Sequence, residues 1–504
     1  MKEKIIIIGS GLGGLECAHI LSSEGYKVTV LEREAQPGGC MQSYRRRGLE
    51  FDTGFHYVGG LDEGQALHNP FRMLGLLKLP WVRLDNNCFD RIHIAGESYD
   101  FAQGYDRFAD TLIKRFPAEE KGIREYVEML QNNTRHQLDW LDPTIPESHN
   151  LLATETYGAD FTTSAWQWLN EHIHDKQLLN VLSGNSTRME LRKDTLPLFT
   201  IAHINSSYIA SSYRLKGSGR LIVDSLIHDI HANGGEVIRN AEVTQLIEQG
   251  GRIAKAVCSN GETYEADIFI SDMHPTLTYD LVNPSVLIRK SLKRRMHLLE
   301  NTYGMMTVSL VIKPNTLQYV GHNDYVYSKP NLWDGFENDN PVSGLCMSYR
   351  VPEDGSDYTR IIDIMTPVTW KECNAWQDTK VGHRTKDYEA WKQWKSEEVI
   401  NLASTVIPDL KSMIEAKYVS TPLTYRDYTL TPNGTAYGLR KDFASPLLTV
   451  ISPHTPLPNL FLTGQSLMLH GIEGVTMTAM MTCAEILGKE KMWELLEERG
   501  ESKE

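Results

Sequence analysis

Gly9, Gly11 and Gly14 stand in the spacing GxGxxG within the opening stretch "MKEKIIIIGSGLGGLECAHILSSEGYKVTVLEREAQPGG". The chemistry such a set suits is capture of a dinucleotide. Gly9 permits a tight turn, Gly11 has no side chain to hold phosphates off the backbone, and Gly14 lets a helix pack close to a strand with its N-terminal amides aimed at the anion. Glu32 follows near the spacing at which a carboxylate accepts hydrogen bonds from an adenosine ribose. A free 2′-hydroxyl suits that carboxylate and a 2′-phosphate would be repelled, so FAD or NAD is favoured over NADP.

Such a motif has force only where a buried strand leads in and a helix leads out. Residues 5–8 are an unbroken isoleucine run, as in a strand covered on both faces. Leu15, Ala18 and Leu21 then have helical spacing, and residues 28–31 predict a second strand ending at Glu32. Two other clusters carry less. His172 and His174 in "EHIHD" would share a strand face, but their surroundings read as helical and no third ligand is evident, so no metal site is predicted. The run "IRKSLKRRMHLL", with Arg289, Lys290, Lys293, Arg294 and Arg295, is by default a solvated helix face. Beside the apolar "FRMLGLLKLPWVRL" it would also suit peripheral contact with an anionic bilayer, from which an apolar substrate would enter.

The chain has 504 residues, with 51 Lys and Arg against 65 Asp and Glu; the net charge of -14 argues against nucleic acid as a partner. Seven cysteines without CxxC pairs read as a reduced intracellular protein lacking a disulfide framework or zinc cage. The apolar N-terminus is broken by the glycine turn, unlike a signal peptide. No stretch approaches the roughly 20 apolar residues that span a bilayer. The expectation is a cytoplasmic protein, soluble or peripheral on a membrane surface.

Residues 101–145 have helical composition. The α/β pattern returns near residue 211, with a helix over 221–232, a stop at Gly234 and Gly235, a strand through Val243, and short strands punctuated by Gly250-Gly251 and Asn260-Gly261. Residues 460–463 predict a strand, followed by a glycine turn and a helix from about Gly474. The fold class is α/β. A discontinuous Rossmann-type dinucleotide domain is read from residues 1–100, 211–283 and 441–504, and a mixed α+β substrate domain from 101–210 and 284–440. "GSGR" at 217–220 follows no clear buried strand and lacks a third glycine. One dinucleotide site is therefore expected, with a quinone, oxygen, another flavoprotein or diffusing nicotinamide as the separate electron donor or acceptor.

The motifs "GSGLGG", "LERE" followed by Gly38-Gly39, "FDTGFHYVG", "GGEVIRNAEVTQLI", "PNGTAYG" and "NLFLTGQ" with "GIEGV" occur in this order over nearly the whole chain. Together they resemble the phytoene desaturase, carotenoid isomerase and retinol saturase family of FAD-dependent oxidoreductases. "HYVG" at 56–59 and "TGQ" at 463–465 lean towards the retinol saturase and carotenoid isomerase branch. The resemblance implies a glutathione-reductase-like fold with FAD as cofactor. It assigns Gly9, Gly11, Leu12, Gly13 and Gly14 to the pyrophosphate, and Glu32, with Arg33 beside it, to the adenosine ribose. Gly38 and Gly39 would approach the phosphates and ribityl chain, Gly54 and His56 would line the cofactor, and the Val243 backbone would meet the adenine. Gly464 and Gln465 would face the ribityl phosphate, and a helix starting near Gly474 and Val475 would point its amides at the flavin N1 and C2 carbonyl.

Catalytic candidates are His56, Tyr57, Tyr437, His470 and Glu473, all in motifs expected to converge on the isoalloxazine; a structural hydrogen bond is the competing role for each. Gln465 replaces the family's more usual Asp, His470 stands where saturases often have Cys, and Glu473 adds a carboxylate. These departures bear on substrate more than on cofactor. The implied activity is saturation, desaturation or isomerisation of carbon-carbon double bonds in an apolar isoprenoid or polyene such as a carotenoid or retinoid. A flavin amine oxidase shares the FAD architecture and is the alternative enzyme. Prenyl-protein escort factors use a related fold without flavin, a non-enzymatic alternative against which the intact glycine fingerprint, Glu32 and the C-terminal segment speak.

Overall fold

The strand Lys4–Ile8 lies between two parallel neighbours, Lys27–Leu31 and Ile268–Ser271. Its isoleucines serve two cores: Ile5 and Ile7 face a helical layer with Leu15 and Ala18, and Ile6 and Ile8 face the opposite layer with Val243 and Leu246. That division is the two-residue period of a strand covered on both sides. Glu236–Ile238 and Leu460–Leu462 complete a five-stranded parallel sheet at its two edges. The helix Leu12–Ser23 packs against Arg220–Ala232 and against Gly471–Leu487. An antiparallel meander of Val243–Gln249, Arg252–Cys258 and Thr263–Glu265 covers the other face. The computed structural model describes residues 2–136, 138–142, 144, 155–335 and 341–498.

A seven-stranded sheet forms the second layer, in the order Ile414–Ser420, Gly304–Ile312, Ile361–Val368, Gly344–Tyr349, Asn323–Tyr327, Asp90–Ile94 and Glu97–Phe101. Its pairs are antiparallel except Asn323–Tyr327 with Asp90–Ile94. The hairpin at 90–101 thus belongs to this sheet, although the sequence reading gave residues up to 100 to the dinucleotide domain. Alternation within a hairpin does not reveal which sheet accepts it. The helix Tyr105–Arg115 packs against its edge strand Glu97–Phe101, and Glu120–His136, Ala165–His172 and Leu198–Ala210 cluster around that helix and one another.

Three expectations shift. The strand expected through Val243 is two strands, one in each sheet system, parted at Asn240, which takes φ 55°, a left-handed conformation that Asn tolerates. The apolar run at 71–84 is core rather than surface: Phe71, Leu74, Leu76 and Leu84 are all buried, so it adds no membrane-facing patch to the basic helix Lys290–Leu298. The C-terminal helix starts at Gly471, not at Gly474. Among the described residues, no helix is long and apolar enough to cross a membrane.

Candidate functional site

The isoleucine strand ends at Gly9, whose φ of +97° is open to glycine, and the chain enters the helix Leu12–Ser23 three residues later. A Cβ at Gly14 would stand 2.3 Å from the Gly9 carbonyl oxygen, so Gly14 allows the close packing of helix on strand and does not itself line the cavity. Around this turn lies a cavity of about 330 Å³. Glu32, Arg33, Ala241, Glu242 and Val243 wall one end; Gly9, Gly11, Leu12, Gly13, Gly39, Gly464 and Gln465 wall the middle. At the other end stand Gly54, His56, Met305, Met365, Tyr425, Tyr437, Ile472 and Val475. Gly38 is set back: its N–H donates to Ser10 Oγ at 3.1 Å, and it packs against Val223.

Glu32 is buried at the mouth of the second strand. Its Oε2 accepts from the Ser10 amide at 3.0 Å and from the Ser10 hydroxyl, and its Oε1 accepts from the Glu34 amide at 2.7 Å. A carboxylate has about four acceptor positions, which leaves one for the cavity. Opposite it stands Asp272, which the sequence reading did not select. The parallel register sets Ser271 against Ile8, so the next residue on each strand brings Asp272 beside Gly9. Its carboxylate lies beside Gly11 and Gly14, whose amides favour its charge; burial, with Glu32's charge, nevertheless pushes its pKa up to about 7.

The five catalytic candidates separate. His56 is on the cavity wall, and burial pulls its imidazole down to about 4, so it is neutral at pH 7. Tyr437 is also on the wall; its hydroxyl donates to the Thr187 carbonyl. The other three are not among the residues that wall the cavity. His470 stacks on the Tyr437 ring, and its Nε2 donates to the Arg188 carbonyl at 2.8 Å. Tyr57, the neighbour of His56 in an extended stretch, turns into a buried network in which its hydroxyl lies 2.5 Å from that of Tyr325 and donates to Asp90 at 3.1 Å. Arg188 completes that network, 3.2 Å from Asp90 and with its guanidinium 4.0 Å from the centre of the Tyr208 ring.

Glu473 faces His203 at 3.5 Å, inside the protein. Ile472 and Val475, three apart, share the helix face that meets the cavity, while Glu473 and Gly474 are rotated off it. Gly474 instead permits contact with Leu469, whose backbone carbon would lie 2.4 Å from an added Cβ. Its amide falls within the helix rather than among the free groups of the first turn.

Two buried basic side chains hold the walls. Arg350 reaches Asp52 of the "FDTG" strand at 2.5 Å and Asp363 of the seven-stranded sheet at 3.6 Å. Lys441 donates to the carbonyls of Thr449, Ser466 and Leu467, fixing the turn after Gly464. His172 closes its own helix, near the Trp168 carbonyl at 2.8 Å, and among the described residues no group of three or more His, Cys, Asp or Glu is placed to hold a metal.

Residues 7–73 match the family described as an NAD(P)-binding Rossmann-like domain. The chain is 26% identical to all-trans-retinol 13,14-reductase of Danio rerio, covering 96% of this chain and 85% of that protein. It is 23% identical to chloroplastic prolycopene isomerase of Daucus carota, covering 92% and 76% respectively. Among solved structures it resembles wild-type putrescine oxidase bound to putrescine, with a TM-score of 0.64 at 14% identity over 96% of this chain and 99% of the other. That last likeness is one of fold.

Proposed function

We propose that the chain, similar over nearly its whole length to retinol reductase and prolycopene isomerase, is an oxidoreductase of the phytoene desaturase, carotenoid isomerase and retinol saturase family that binds FAD and acts on carbon-carbon double bonds of an apolar polyene, by saturation, desaturation or isomerisation. The observation that carries this reading is the continuity of one cavity from a dinucleotide turn to a chamber walled by Met305, Met365, Ile472 and Val475. A polyene of the retinoid or carotenoid kind matches such walls, since they offer contact area and exclude water.

The residues present fit FAD. Gly11, Gly13 and Gly464 add no side chain of their own to the middle of the cavity, where the Asp272 carboxylate stands, and Glu32 retains an acceptor position for a ribose hydroxyl. FAD supplies hydride exchange with a carbon-carbon bond when bound. The amides of Gly471 and Ile472, at the start of the helix Gly471–Leu487 and on the cavity wall, would offer partial positive charge to a bound flavin. Lys441 holds the Gly464–Leu467 turn in place from behind. Tyr437 has its proton committed to the Thr187 carbonyl and so orients the wall. His56, neutral and on the wall, is the polar group we assign to orienting substrate by hydrogen bonding at the apolar end, not to donating a proton at pH 7.

Electrons come from, or go to, a separate donor or acceptor, because the chain has one GxGxxG turn. Peripheral membrane contact belongs to the same reading: Arg289, Lys290, Arg294 and Arg295 are exposed on or beside the helix Lys290–Leu298, near the solvent-facing Val286 and Leu298. Incubation of the purified protein with FAD followed by gel filtration tests the cofactor. A flavin spectrum that co-elutes with the chain is the expected result; a colourless protein after reconstitution contradicts it.

A further inference from the structure

The N-terminal amides of the helix Leu12–Ser23 are the natural seat for a cofactor phosphate, yet in this fold they already hold an anion. The Asp272 carboxylate stands against the Gly11 and Gly14 backbone, whose amides favour its ionised form. It sits so close that a Cβ at Gly11 would be 2.3 Å from Oδ2, and one at Gly464 would be 2.7 Å from Oδ1. Asp272 also lines the cavity wall. The groups facing it are Glu32 at the end of the second strand, Glu16 and Cys17 on the helix, and Cys40 in the loop after Gly39. Among the described residues Asp272 forms no ion pair.

Resting on the FAD reading above, we propose that Asp272 is a resident anion of the dinucleotide turn, which competes with the cofactor phosphates and must be protonated or displaced for them to bind. Two like charges cannot share one set of amides without repulsion, and no described cation offsets them. The proton balance follows: cofactor binding takes up one proton at the Asp272 carboxyl when that group starts ionised. With its pKa near 7, the group is largely protonated below that pH and binding is then free of the penalty. As pH rises through 7, affinity falls, towards tenfold per unit. A neutral amide at this position keeps the acceptor oxygen for the glycine amides and removes the charge.

The test is a titration of the apo-protein with FAD, followed by flavin fluorescence, at about pH 6 and about pH 8.5, for the natural chain and Asp272→Asn. The natural chain is expected to bind at least about tenfold more weakly at the higher pH. Asp272→Asn should bind at both pH values as tightly as the natural chain does at the lower one. Equal pH dependence in the two proteins, or weaker binding by the variant throughout, overturns the inference. Glu16→Gln, behind the turn, should keep the pH dependence; its loss there would move the proton to Glu16 and also overturn the inference. Asp272→Ser removes the charge by another route should the Asn variant fail to fold. FAD binding by neither the natural chain nor the variants would instead overturn the cofactor reading itself.

Discussion

The Tyr437 ring stacks on the His470 imidazole, with centroids 4.2 Å apart and planes at 28°, and of the two only Tyr437 walls the cavity. Both are anchored to one short turn, Ser186–Arg188: Tyr437 through the Thr187 carbonyl and His470 through that of Arg188. His470 therefore supports the wall rather than acting on what the wall encloses. His470→Leu should cost about 1–3 kcal/mol in a denaturant titration, from the lost stacking and hydrogen bond. Flavin content and the pH profile of turnover should stay as they are. A displaced acid limb would contradict this account and make His470 a proton donor.

Burial holds His56, His274 and His470 near a pKa of about 4, against an ordinary value of 6.5. Between those values these three histidines bind more protons in the unfolded chain than in the folded protein, so their contribution to stability falls as pH drops through that window and is fully present above it. The urea midpoint of the natural chain should therefore fall relative to that of His470→Leu between about pH 7 and about pH 5. An identical slope in the variant would contradict the assignment.

Arg350 is the shared cation of Asp52 and Asp363. Arg350→Met should destabilise the protein by about 3–5 kcal/mol, since it leaves buried carboxylates without their cation. Adding Asp52→Asn should recover part of the loss, because residues in one network do not act additively. A loss below about 1 kcal/mol would show that water reaches the carboxylates and pairs them instead.

Neutralising Arg289, Lys290, Arg294 and Arg295 leaves the buried side of their helix intact, where Lys293 donates to the Val282 carbonyl at 2.8 Å. The natural chain should co-sediment with vesicles containing phosphatidylserine, less so at high salt, and much less with phosphatidylcholine alone. The neutralised variant should lose the preference. Unchanged binding by the variant would remove this surface from the account.

Local pattern and long-range pairing explain what the sequence did and did not reveal. The glycine turn, its strand and helix, and Glu32 were legible because strand, turn and helix adjoin in the chain. Asp272 was not, since its place beside Gly9 depends on the pairing of Ile8 with Ser271 from a distant segment. A signal existed, an aspartate directly after the buried run at 268–271, but it needed the strand order to be read. The catalytic motifs were found, yet which members face the cavity was not. His56 and Tyr57 are adjacent and diverge, and the earlier start of the C-terminal helix rotates Glu473 and Gly474 away while keeping Val475 on the wall.

The most direct measurement of the central claim is anaerobic. The FAD-loaded protein is reduced with dithionite and then mixed with retinoids, carotenoids and, separately, the oxidised form with amines, while flavin absorbance and the polyene products are followed. The account predicts that a polyene restores the oxidised flavin spectrum with saturation of a double bond, or is converted to a geometric isomer by the reduced protein. Reduction of the oxidised flavin by an amine, with every polyene left unchanged, would contradict it and establish the amine-oxidase alternative.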